Sequence, residues 1–115
     1  MKKIIDGKLY DTETADRLLY KQWSTQHPNV SGRDHSLDHE RAVYRTKKGT
    51  LFAYEYDEEG YGRNADGATG AFVRKRSRWE VFYGGEPAAV RWAEEQDCFD
   101  SQDIYDQFAD TIEEA

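Results

Sequence analysis

Residues 41–56 read RAVYRTKKGTLFAYEY. Two runs rich in β-branched and aromatic residues flank Lys47-Lys48-Gly49, and Gly49 suits the left-handed position of a three-residue hairpin turn. On the second run Phe52, Tyr54 and Tyr56 alternate with Leu51 and Ala53, so both sides of the strand carry apolar groups. This hairpin makes an antiparallel sheet the centre of the fold.

Working outward to the N-terminus, KKII, Asp6-Gly7 and KLY form a second hairpin, because Asp-Gly supplies the positive φ angles of a tight turn. DTETADRLLYKQW (11–23) follows. Asp11 or Thr12 caps a helix here, with Glu13 favourable in its first turn. Ala15, Leu18, Leu19 and Trp23 recur near a 3.6-residue period. His27-Pro28-Asn29 stops the helix, since the residue before proline avoids the α region. Residues 24–40 hold little that is apolar and are expected to form a loop.

Towards the C-terminus, residues 57–71 contain four glycines and are expected to be a flexible connection. FVRKRSRWEVFY (72–83) is a strand, with Lys75, Ser77, Trp79, Val81 and Tyr83 on one face and Arg74, Arg76, Arg78, Glu80 and Phe82 on the other. Pro87 opens a helix through AAVRWAEEQ. A last helix spans about 101–113, capped by Asp100 or Ser101. Ile104, Tyr105, Phe108, Ala109 and Ile112 share one arc, and Asp103, Asp106, Asp110 and Glu113 the opposite one. The expectation is a single α+β domain over 1–115. It has a small antiparallel sheet of four to five strands, with an N-terminal helix and two C-terminal helices packed on it.

The chain has 115 residues, a mean hydropathy of −1.00 and 14% aromatics, the composition of a folded domain with a very polar exterior. Cys98 is the single cysteine, which excludes an internal disulfide and suits a reducing cytoplasm. No secretory leader or membrane-spanning run is evident. The net charge of −7 is unevenly spread. Residues 1–50 carry ten Lys/Arg and seven Asp/Glu, and residues 51–85 carry five and six. Residues 86–115 carry one base, Arg91, and ten acids. The acidic excess therefore belongs to the helical C-terminal region 86–115, the mark of an interaction surface or an acidic tail.

Four constellations invite a functional reading. In RDHSLDHE (33–40), His35 and His39 have the i,i+4 spacing of helical zinc ligands, with Asp34, Asp38 and Glu40 nearby. Ser36 stands where the metalloprotease motif has its glutamate, so the alternatives are a metal-dependent enzyme and a polar connector. The glycine-rich stretch 60–70 lacks the Gly-Lys-Ser/Thr ending of a phosphate loop. Arg74, Lys75, Arg76 and Arg78 beside Trp79 are candidates for nucleic-acid contact through phosphates and stacking. Glu94, Glu95, Asp97, Asp100, Asp103, Asp106, Asp110 and Glu113 are candidates for contact with a basic partner. Along a helix rising 1.5 Å per residue, acids three and four apart lie about 4.5–6 Å from one another. Such a row can occupy a Lys/Arg-lined groove meant for nucleic acid. Cys98 sits among acids, which disfavour a thiolate, and no serine has a nucleophile-elbow context. No catalytic residue and no cofactor are assigned.

KKIIDGKLYDTETA at the start, YRTKKGTLFAYEY in the centre and the helix ending RWAEEQ resemble small proteins from phages and mobile elements of Gram-positive bacteria. That resemblance touches about half of the chain and departs from it in the longer 57–78 segment and the very acidic end. Some such proteins are associated with anti-CRISPR loci. The resemblance implies a genomic context rather than a mechanism, and it carries no catalytic residues. Joined to the acidic C-terminal region, it leads to the expectation of an inhibitor acting in the cytoplasm of a bacterial host, with a CRISPR effector or another basic host protein as partner.

Overall fold

The computed structural model describes residues 1–28, 34–61 and 72–115. The chain is α+β. The elements are β1 (Lys2–Ile5), β2 (Lys8–Asp11), β3 (Asp16–Pro28), β4 (Asp34–Arg45), β5 (Leu51–Tyr61), β6 (Phe72–Val81), α1 (Glu86–Glu95) and α2 (Ser101–Phe108). Strands β3-β4-β5-β6 form one antiparallel sheet in sequence order, and β1-β2 is a separate two-stranded hairpin.

Both expected hairpins form. Asp6 and Gly7 have φ of 52° and 76°, the left-handed pair that a two-residue turn needs to follow the strand twist. Gly49 has φ 91° and closes the β4–β5 turn, where the Gly49 and Thr46 amides donate to the carbonyls of Thr46 and Thr50.

The expected N-terminal helix does not exist. Residues 16–28 are β3, paired along its length with β4, so the supposed loop at 24–40 is mostly sheet. The register shifts between Arg17 and Leu19. This bulge lets Leu18 pack against the same core as Leu19, because an extra residue in one strand re-aims its neighbours. Trp23, four residues beyond Leu19, returns to that face by simple alternation. A bulged strand thus produces the 18, 19, 23 spacing of a helix. Strand β5 likewise runs through Tyr61, so the first part of the expected 57–71 connection is strand. Residues 62–71 lie outside the described residues.

The sheet is covered on both faces over part of its length. On one face Leu19, Val43, Leu51, Ala53 and Phe82 meet Ala89, Trp92 and Ala93 of α1 and Ile104 and Phe108 of α2. On the other, Ala42, Tyr44, Phe52 and Tyr54 meet Tyr10, with Ile5, Trp79 and Val81 at the margin. Phe52 sits among Tyr10 (centroids 5.3 Å), Tyr44 (5.2 Å) and Trp79 (5.9 Å). Each such buried aromatic contributes about 1.5–3 kcal/mol through area removed from water. Tyr83 Oη donates to Asp6 Oδ2 (2.7 Å), tying the β1–β2 tip to the chain just beyond β6. Among the described residues no helix is long and apolar enough to cross a membrane.

Candidate functional site

The acidic surface is a consequence of how α1 and α2 bury their apolar stripes. Pro87 stands in the first turn of α1, and burial of Ala89, Trp92 and Ala93 turns Glu94 and Glu95 outward. These two acids lie at the helix C-terminus, where the helix dipole disfavours negative charge, and no basic residue occupies that last turn. Asp97 and Asp100 are exposed in the connection. Asp100 caps α2, its Oδ1 accepting from the Asp103 amide at 3.0 Å. Burial of Ile104 and Phe108 then leaves Asp103 and Asp106 exposed.

The expected helix to residue 113 stops at Phe108. The amides of Thr111 and Ile112 fold back onto the Phe108 carbonyl, and Ile112 packs on the core. Thr111 Oγ1 donates to Glu86 Oε1 (2.8 Å), and Glu86 also pairs with Arg45 (3.2 Å). Of the expected acidic row, Asp103 and Asp106 share the helix, while Asp110 and Glu113 follow it in a turn and the terminal segment, both exposed. The 1.5 Å rise does not carry through to them. Tyr105 and Ala109, expected on the buried arc, are also exposed. Among the described residues, Glu86–Arg45 is the only ion pair made by an acid of 86–115. The negative charge of Asp100 raises the Asp103 carboxyl above its ordinary value, Asp106 adds to this, and Lys21 opposes it.

The basic cluster is placed differently. Arg78 stands opposite Glu55, Arg76 opposite Asp57, Lys75 opposite Glu58 and Arg74 opposite Glu59. Arg76 Nη1 reaches Glu59 Oε1 at 3.1 Å, and Arg78 Nη1 lies 3.8 Å from Glu55 Oε2. Opposite charges on facing strands stabilise the pairing and fix its register. Trp79 belongs to the other face, edge-to-face with Tyr54 at 5.1 Å and stacked over Phe52. Alternation therefore separates Trp79 from Arg74, Arg76 and Arg78 and leaves Lys75 as the base of the cluster on the face of Trp79.

RDHSLDHE is where the structure adds most. His35 and His39 lie on one extended strand, β4, so four residues separate them by about 13 Å rather than one helical turn. The His35 side chain lies outside the described residues. His39 stacks on Trp23 (5.2 Å, 17°), its Nδ1 is 2.8 Å from Asp57 Oδ1, and its Nε2 is 2.9 Å from Thr25 Oγ1. Both ring nitrogens are engaged across three strands. Arg41, with its guanidinium 5.3 Å from the Trp23 ring centre, grips Asp57 with two bonds of 3.0 Å and reaches Gln96 at the end of α1 at 3.2 Å. Burial pushes the Asp57 carboxyl up, but the hydrogen bonds from Arg41 and His39 outweigh it and hold the group below its ordinary value. On the opposite face, Tyr56 Oη donates to Glu58 Oε2 at 2.6 Å, and the Asp38 amide donates to Glu58 Oε1 at 2.8 Å. Burial and this acidic neighbour push Tyr56 up to about 12.

No protein-family model, curated protein or solved structure matches this chain. Its site is therefore read from its own residues. Cys98 is half-buried against the helix-side core, and burial, more than its acidic neighbour Asp97, pushes its thiol up. Sequence reasoning missed the Trp23–His39–Asp57–Arg41 network because it assigned Trp23 to a helix and His39 and Asp57 to loops.

Proposed function

We propose that this chain is a small acidic phage or mobile-element protein that inhibits a host defence nuclease, with CRISPR effectors as the leading class, by occupying a basic nucleic-acid channel. The observation that carries the reading is the segregation of charge. Arg41, Arg45, Arg76 and Arg78 of the sheet meet carboxylates within the chain, whereas Glu94, Glu95, Asp97, Asp100, Asp103, Asp106, Asp110 and Glu113 are all exposed and lie in a segment with one base. A helix surface built for its own stability mixes signs and places cations near its C-terminus. One-sided charge of this kind steers association with an oppositely charged groove and sets partner choice. The choice of a bacterial defence nuclease rests on the sequence resemblance.

Affinity capture from a bacterial lysate containing CRISPR effectors supplies the partner. Changing Asp103, Asp106 and Asp110 to Asn and Glu113 to Gln should then weaken binding strongly at low salt and little at high salt. Equal binding by the native and neutralised proteins at both salt concentrations rules this interface out.

A further inference from the structure

A cleft of about 480 Å³ lies between the β1–β2 hairpin and the β4–β5 turn. Lys8, Lys47 and Lys48 line it, together with Thr14, Thr46 and the carboxylate-bearing Asp11. It shares no lining residue with the acidic surface, and the hairpin that forms one wall packs on the sheet face opposite the helices.

Three observations point to a ligand. First, among the described residues none of these lysines makes an ion pair, although Arg41, Arg45, Arg76 and Arg78 all do. None of the other described lysines makes one either, but Lys8, Lys47 and Lys48, all exposed, are the three that line a single cleft. Second, Asp11 is the buried charged side chain of the described residues, 9% exposed. Its Oδ1 accepts from the Glu13 amide at 2.9 Å, while Oδ2 has no partner among the described residues. Buried polar atoms are normally satisfied, and because Asp11 lines the cleft, a donor bound there can supply the missing partner. Third, the walls are preorganised. Thr46 Oγ1 accepts from the Thr50 amide at 3.0 Å, which holds the Lys47–Lys48 turn and leaves the Thr46 hydroxyl proton free to donate.

We infer that this cleft binds a small phosphate monoester carrying an amino or hydroxyl donor, of the nucleoside monophosphate class. Three lysines against one aspartate leave about two positive charges, the complement of a phosphate monoester near neutral pH, whose charge is roughly −1.5 to −2. The volume falls in the range of roughly 300–1,000 Å³ usual for small-molecule sites. Phosphate oxygens meet the lysine ammonium groups and the Thr46 hydroxyl, and the donor meets Asp11 Oδ2.

The test is an amide-resolved NMR titration of the full chain with AMP, adenosine and inorganic phosphate. AMP should give saturable shifts confined to residues 7–15 and 46–50, and should bind more tightly than either fragment. The Lys47→Ala/Lys48→Ala variant should lose about tenfold or more in AMP affinity, the size expected for charge-assisted contacts. Asp11→Asn keeps the acceptor of the Glu13 turn, so its fold should persist. It should bind inorganic phosphate more tightly and lose the preference for AMP. Shifts that fail to saturate, or that spread equally over Lys2, Lys3, Lys21 and Lys75, would overturn the inference, as would an unchanged AMP preference in Asp11→Asn. The acidic helices are intact in every variant, so these outcomes are independent of partner binding.

Discussion

On β5 and β6 the acids Glu55, Asp57, Glu58 and Glu59 stand opposite Arg78, Arg76, Lys75 and Arg74. On α1, α2 and their flanks, Glu94, Glu95, Asp97, Asp100, Asp103 and Asp106 are exposed without an ion pair among the described residues. Both regions are densely charged. In the first, charge supports register: a slip by one residue would take two of the four acids off their bases and turn every side chain to the wrong face. In the second, like charges crowd at the end of α1 (Glu94, Glu95) and along Asp100, Asp103 and Asp106. Charge that specifies the fold is balanced locally. Charge left unbalanced is free to meet a complement outside the chain, which is what the proposed inhibitor role requires. That contrast is the basis on which the proposed interface is put on the helices rather than on the arginines of β6.

The largest expected effect breaks the balanced region at its centre. Arg41 is only 15% exposed and holds both oxygens of Asp57. Arg41→Ala removes two hydrogen bonds from Asp57, leaving it His39, and unties β4 from α1 at Gln96, so urea denaturation should show a loss of about 1.5–3 kcal/mol. A smaller effect comes from exchanging an exposed pair. Arg76→Glu and Glu59→Arg should each destabilise, and the double exchange should recover most of the loss, with a coupling of about 0.5–1 kcal/mol. Independent, additive losses would mean that the cross-strand pair does not specify register.

The third effect is one of sign. Asp57 is held below its ordinary value, so its contribution is present above the unfolded-state value and disappears as pH falls through the depressed folded one. Asp103 is raised, so its contribution is present below the unfolded value and lost as pH rises through the folded one. Carboxyl chemical shifts followed from neutral pH downward should give an Asp103 midpoint above that of a free aspartate and an Asp57 midpoint below it. Midpoints on the same side would erase the distinction between the two regions.

Much of the architecture was legible from local chemistry. Asp6-Gly7 and Gly49 marked the turns, Pro87 the start of α1 and Asp100 the cap of α2. Strand β3 was not legible, because a bulge at Leu18 gives a strand the apolar spacing of a helix. The far half of β4 was hidden for a different reason: Asp34–Glu40 is a polar strand within a sheet, and polar residues carry no apolar alternation to read. The balanced region did leave a signal. Glu-Tyr-Asp-Glu-Glu at 55–59 and Arg-Lys-Arg-Ser-Arg at 74–78 are mirror images in charge, as an antiparallel pair requires. Read as two halves of one hairpin they predict each other; read singly, the second suggests a nucleic-acid site. The acidic surface was legible in composition, but its extent was not. The turn after Phe108 breaks a row that the sequence extended to Glu113.

The most direct test of the account is displacement. A nuclease captured by this chain is loaded with fluorescently labelled nucleic acid, and release is followed by anisotropy as the chain is added. The account predicts release at stoichiometric chain, reduced by salt, and no release by the variant with Asp103, Asp106 and Asp110 changed to Asn and Glu113 to Gln. Retention of nucleic acid while the chain is bound, or equal release by the neutralised variant, would contradict it.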